Sequence, residues 1–185
     1  VTAAAESESE EPADEAESSG PGLAGLAIGG LNVTSAQLIW DDAQAGSRYL
    51  LEEFNLLSGE MRLGRAIDLK LDFKLQSGEP NVAGTTELSA RLTFSPDQAV
   101  YLVEALAVEA ALTGDSLPGG GLTLQLQSDI EVDLAADTAK VSGFEVGLYD
   151  IELSGDAAVT NLQTTPALQG QFRLAELNPQ ALLKR

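Results

Sequence analysis

The chain has 185 residues, with 29 acids against 10 bases, no His and no Cys, and 44% of its residues are apolar. A formal charge of -19 excludes nucleic acid as a partner, because phosphate binding needs clusters of Lys and Arg. Without His and Cys there is no imidazole base, no thiol nucleophile, no disulfide and no His- or Cys-ligated metal centre, and the composition implies no cofactor.

Residues 1–22 carry Glu6, Glu8, Glu10, Glu11, Asp14, Glu15 and Glu17, with Ser, Ala, Pro and Gly between them and no base. So few large apolar side chains cannot offset the entropy of ordering, and a disordered acidic linker is expected. Gly20-Pro21-Gly22 closes it, and a β-rich domain over 23–185 follows. The chain opens on Val1 without the charged stretch and apolar run of a leader, and no window approaches the roughly 18 apolar residues of a spanning helix.

From residue 23 the hydrophobic period is two. Ile28, Leu31 and Val33 come first, then a turn cluster from Asp41-Asp42 to Gly46, then Leu51, Phe54 and Leu56. Ile67, Leu69, Leu71, Phe73 and Leu75 alternate with Asp68, Lys70, Asp72 and Lys74. After a turn over 77–81, Leu88, Ala90, Leu92 and Phe94 alternate with Ser89, Arg91 and Thr93. Ser95-Pro96-Asp97 turns the chain into Val103, Leu106 and Val108. Past Pro118-Gly119-Gly120-Gly121, the residues Leu122, Leu124, Leu126, Ile130, Val132 and Leu134 keep one parity. Ala136-Asp137-Thr138 leads to Val141, Phe144 and Val146, then Tyr149, Ile151 and Leu153, and finally Leu168, Phe172 and Leu174. Each run has one apolar and one polar side, as in an antiparallel sheet wetted on one face. The fold class is all-β. At the end Asn178 suits an N-cap and Pro179 a first helical position, so a helix opens and is cut short. The sequence therefore reads as a piece of a longer protein.

The spacing apolar-x-x-apolar-x-apolar recurs at Ile28/Leu31/Val33, Leu51/Phe54/Leu56, Val103/Leu106/Val108 and Val141/Phe144/Val146. Each copy slips parity by one, which predicts β-bulges near Gly29-Gly30, Glu52-Glu53, Glu104-Ala105 and Ser142-Gly143. Bulges at matching places bend a sheet repeatedly in one sense, so an extended, curved sheet is expected. Such a sheet either closes into a sandwich or barrel around its apolar side or stays open as an apolar trough. Pattern alone favours closure. The shortage of aromatics, 5% of the chain, shifts the balance toward the trough.

Other constellations carry less. Asp129, Glu131 and Asp133 share a strand face, which cannot supply the six to eight converging oxygens of a calcium site. Gly119-Gly120-Gly121 lacks the Lys-Ser/Thr of a phosphate loop. No pair of carboxylates stands apart as a glycosidase acid and nucleophile, and no enzymatic role is indicated.

Leu26 to Val33, Trp40-Asp41-Asp42, Gly46-Ser47-Arg48-Tyr49, Leu57-Ser58-Gly59, Leu117-Pro118-Gly119-Gly120 and Phe172 to Leu183 occur in an order that resembles the AsmA family. These are envelope proteins of Gram-negative bacteria, related to TamB and chorein-type bridge-like lipid-transfer proteins. The resemblance spans about 23–185. It implies a periplasmic segment, tethered to the inner membrane by an anchor outside this sequence. Its β-groove would shield phospholipid acyl chains and support lipid transport to, and assembly of, the outer membrane. The alternative is a scaffold domain that binds other envelope proteins without lipid. Under the lipid reading the groove candidates are Leu69, Leu71, Phe73, Leu88, Leu92, Leu124, Leu126, Ile130 and Val132, with Ala90 too small to cover much lipid. About ten strands at ~4.8 Å spacing would give a trough roughly 48 Å long.

Overall fold

A computed structural model describes residues 27–44, 46–149 and 151–175. The acidic stretch over 1–22 and the helix start at Asn178 lie outside the described residues. In chain order the strands are β1 (Ala27–Ile28), β2 (Leu31–Asp42), β3 (Ser47–Ser58), β4 (Met61–Arg62), β5 (Ala66–Ser77), β6 (Val82–Ser95), β7 (Val100–Thr113), β8 (Gly121–Asp133), β9 (Thr138–Leu148), β10 (Ile151–Thr160) and β11 (Ala167–Leu174). Alternating β-branched and leucine-rich positions make these strands. Polar clusters end them. Asp42 Oδ1 accepts the Gln44 N–H at 2.9 Å, and Asp133 Oδ1 accepts that of Ala136 at 2.7 Å. One-turn 3-10 helices at Pro96–Gln98 and Pro118–Gly120 begin on the two prolines that the sequence places in turns.

Nine strands form one antiparallel sheet in the order β2, β3, β5, β6, β7, β8, β9, β10, β11, and β1 with β4 makes a separate two-stranded ribbon. Each strand of the large sheet pairs with its nearest sequence neighbour in that sheet, so all connections are local. Its edges, β2 and β11, do not meet. The sheet is an extended, open one, which corrects the closed sandwich or barrel that pattern alone favours. The physical reason lies in the pairing: a plain meander provides no crossover that would lay a second sheet over the first, and its two edges are not hydrogen-bonded to each other as a barrel requires.

Bulges punctuate the sheet where a residue adopts the left-handed region: Ser35 (φ 50) in β2, Glu53 (φ 50) in β3, Ala105 (φ 49) in β7 and Gly143 (φ 58) in β9. The ladder shifts register there. In three of these strands an Asn or Asp from the following strand takes the bulged residue's N–H. Asn55 Oδ1 accepts from Ser35 at 2.8 Å, Asp129 Oδ1 from Ala105 at 2.7 Å, and Asp156 Oδ1 from Gly143 at 3.0 Å. Three of the four bulges fall where the slipped spacing puts them. The first does not: Gly29-Gly30 separates β1 from β2, with Gly30 at φ 119 where the chain crosses between the two sheets. The repeat's true first copy is Val33/Ala36/Leu38, around Ser35.

Candidate functional site: an open apolar face

Register fixes which side chains share a face. One row crosses all nine strands: Val33, Leu56, Leu71, Leu88, Val108, Leu126, Val146, Leu153 and Leu174. A second row begins at Ile67 and passes through Leu92, Val103, Ile130, Val141 and Ala157. A third runs Phe73, Thr86, Ala110, Leu124 and Leu148, and a fourth Phe94, Tyr101, Val132 and Ala139. Leu69 pairs with Ala90 between the first two rows. All nine sequence-derived candidates thus stand on the same face. The bulges hold this together, because each slip returns the following apolar residues to that side. Phe54 and Phe73 stack on it with ring centroids 6.4 Å apart, and Phe94 meets Tyr101 edge to face.

The face is only half covered. Each of the nine candidates is half-buried, by its neighbours in the sheet. Among the described residues only Ile67 and Ala90, each at 8% exposure, are buried apolar side chains. A sandwich or barrel core would seal many such residues. Toward the edges exposure rises further, to 71% for Trp40 on β2 and 70% for Leu168 on β11. Nine strands span eight spacings of ~4.8 Å and give a stripe roughly 38 Å long, against the roughly 48 Å expected from the sequence. Four buried hydroxyls also sit on this side, at Ser47, Ser58, Ser77 and Ser128. Ser58 Oγ accepts the Leu31 N–H at 2.9 Å, and Ser128 Oγ donates to the Ser142 carbonyl at 3.4 Å. Parity places them there, and the alternation of large apolar residues alone gives no sign of them.

The reverse face is charged. Directly behind Leu71 and Leu126 runs the row Lys70, Ser89, Ala107, Gln127 and Glu145. Asp72, Glu87 and Glu109 oppose one another across three strands. Arg91 reaches Asp68 at 2.9 Å, and that hydrogen bond, with the carboxylate's charge, holds the guanidinium above its ordinary range. Lys74 reaches Glu53 at 2.6 Å. Such exposed pairs contribute little to stability, so this face serves to keep one side wet. Surface depressions lie on it; one of about 400 Å³ is lined by Gln125, Gln127, Glu145, Glu152 and Arg173 among others. They are shallow gaps among polar side chains. Of the acidic triplet, Asp129 is engaged by the Ala105 N–H and Asp133 by its turn. Among the described residues no three carboxylates converge as a metal site would require.

The fold and its face define an open, single-layer antiparallel sheet that presents an apolar stripe to its surroundings. No family model, curated protein or solved structure matches the chain. The likeness to the AsmA family rests on the residues that carry it.

Proposed function

We propose that the apolar face shields phospholipid acyl chains. In this reading the chain is a periplasmic segment of a protein tethered to the inner membrane, and it supports lipid transport to, and assembly of, the outer membrane. The observation that carries the reading is the unbroken row from Val33 to Leu174, not sealed from solvent at any position and without a covering layer among the described residues. Apolar surface left in water is unfavourable by about 25 cal/mol per Å², so a stripe of this size calls for an apolar occupant. Contact of this kind has no direction. It holds an acyl chain anywhere along the stripe and lets it move, whereas a deep pocket would fix it at one point.

A fluorescent fatty-acyl probe titrated into the purified chain, then displaced with phosphatidylethanolamine or phosphatidylglycerol, tests this. Saturable probe binding that phospholipid reverses is the expected result. A folded chain that neither binds the probe nor retains phospholipid after purification would instead place a protein against the face.

A further inference from the structure

The two edges of the sheet differ. β2 is interrupted by the left-handed Ser35 and by register shifts on both sides of Ala36, and it ends in Asp41 and Asp42. Bulges and charges of this kind blunt an edge against added strands. Among the described residues β11 has no such protection. Its eight pairs with β10 run without a shift, Arg173 is its one charge, and every residue in it is exposed. The Ala175 N–H donates to the Glu152 carbonyl at 2.9 Å, so the odd-numbered residues bond inward to β10. By the alternation of an antiparallel ladder, Leu168, Gly170, Phe172 and Leu174 turn their N–H and C=O groups outward.

The sequence of this edge is partly mirrored: two of the four residue pairs about Gln171 are identical. About Gln171, Ala167 mirrors Ala175, Leu168 mirrors Leu174, Gln169 mirrors Arg173 and Gly170 mirrors Phe172. We propose that two copies of the chain join through β11, antiparallel about a twofold axis at Gln171, so that their sheets become one. In this register Leu168 meets Leu174 and Gly170 meets Phe172, each twice, and the outward groups of these pairs form about eight hydrogen bonds. The Phe172 ring already lies low over Gly155 and Gly170 of its own sheet. A glycine opposite it in the second copy leaves that ring room. Arg173 faces Gln169, so no like charges meet. A register centred on Gly170 is poorer, because it sets Pro166, which has no N–H, against Leu174. The twofold axis stands perpendicular to the sheet. Both apolar faces therefore point the same way, and the stripe doubles in length. With a charge of -19 on each copy, long-range repulsion opposes the dimer and salt relieves it.

The chain has no Cys, so single cysteines can report the register. Residues at Gln171 would form a non-hydrogen-bonded pair with Cα atoms about 4.5 Å apart, within disulfide reach. Two copies of Gln169 would lie roughly 14 Å apart, out of reach. Mild oxidation should convert Q171C, but not Q169C, to a covalent dimer, with circular dichroism confirming that both variants keep their strands. Sedimentation velocity on the unsubstituted chain should show a dimer whose fraction rises with concentration and with salt. A monomer under all these conditions overturns the proposal, as does a dimer in which Q169C links as readily as Q171C.

Discussion

Leu71→Asp separates an open face from a covered one. Leu71 lies between Leu56 and Leu88 on the row that crosses the sheet, and it is half-buried. On an open face the new carboxylate still reaches water. What is lost is apolar contact with two cross-strand neighbours, about 1–2 kcal/mol in all. At ~2–4 °C per kcal/mol for a domain of this size, the melting midpoint should fall by roughly 2–8 °C. Under a second layer the same carboxylate would be buried without a partner. That adds several kcal/mol on the order of the chain's whole stability, and the domain would not fold. Acyl binding should respond more sharply. The substitution removes apolar surface from the stripe and forces an acyl chain to cover a charge, which should weaken binding about tenfold or more. Circular-dichroism melting and an acyl-probe titration on one preparation give both numbers. An unfolded variant, or a folded one with unchanged acyl affinity, would refute the reasoning.

Other substitutions test the frame that holds the face. Gly84 in β6 has no room for a side chain, since an added Cβ would lie 2.0 Å from the Ala111 carbonyl oxygen; G84A should cost about 2 kcal/mol or more in denaturant unfolding. Gly147, whose added Cβ would be 3.8 Å from the nearest atom, is the control, and G147A should change stability by less than about 0.5 kcal/mol. Removing the bulge acceptor with D129A should cost about 1–2 kcal/mol, and D129N, which keeps an accepting oxygen for the Ala105 N–H, should restore most of it. A β-branched side chain at the left-handed Ala105 is strained, so A105V should cost about 1–3 kcal/mol by the same measurement.

Alternation along each strand was enough to assign the groove candidates to one side of their strands, because side chains repeat every two positions and a slip of one reverses them. That is why Leu69, Leu71, Phe73, Leu88, Leu92, Leu124, Leu126, Ile130 and Val132, chosen from three separate strands, stand together. The slipped spacing also located the bulges at Glu53, Ala105 and Gly143. It missed the one at Ser35, where Ala36 is too small to mark the pattern and the nearby Gly29-Gly30 draws the eye. Alternation could not say what covers the apolar side, because a closed core and an open trough need the same residues on that side. That depends on strand order and on whether the two edge strands pair, neither of which alternation within a strand reports. Nor did it show the buried Ser47, Ser58, Ser77 and Ser128, or the mirrored sequence around Gln171, whose meaning appears only once β11 is known to be an edge.

The central claim is that the apolar face meets lipid and the face behind it does not. Photocrosslinking groups at Leu71 and Leu126, with Lys70 and Gln127 on the opposite face as controls, test it in cells that express the protein, followed by mass spectrometry of the adducts. Phospholipid adducts at Leu71 and Leu126, and none at the controls, are predicted. Abundant, folded protein without lipid adducts at Leu71 and Leu126, or with equal adducts on both faces, would contradict the account.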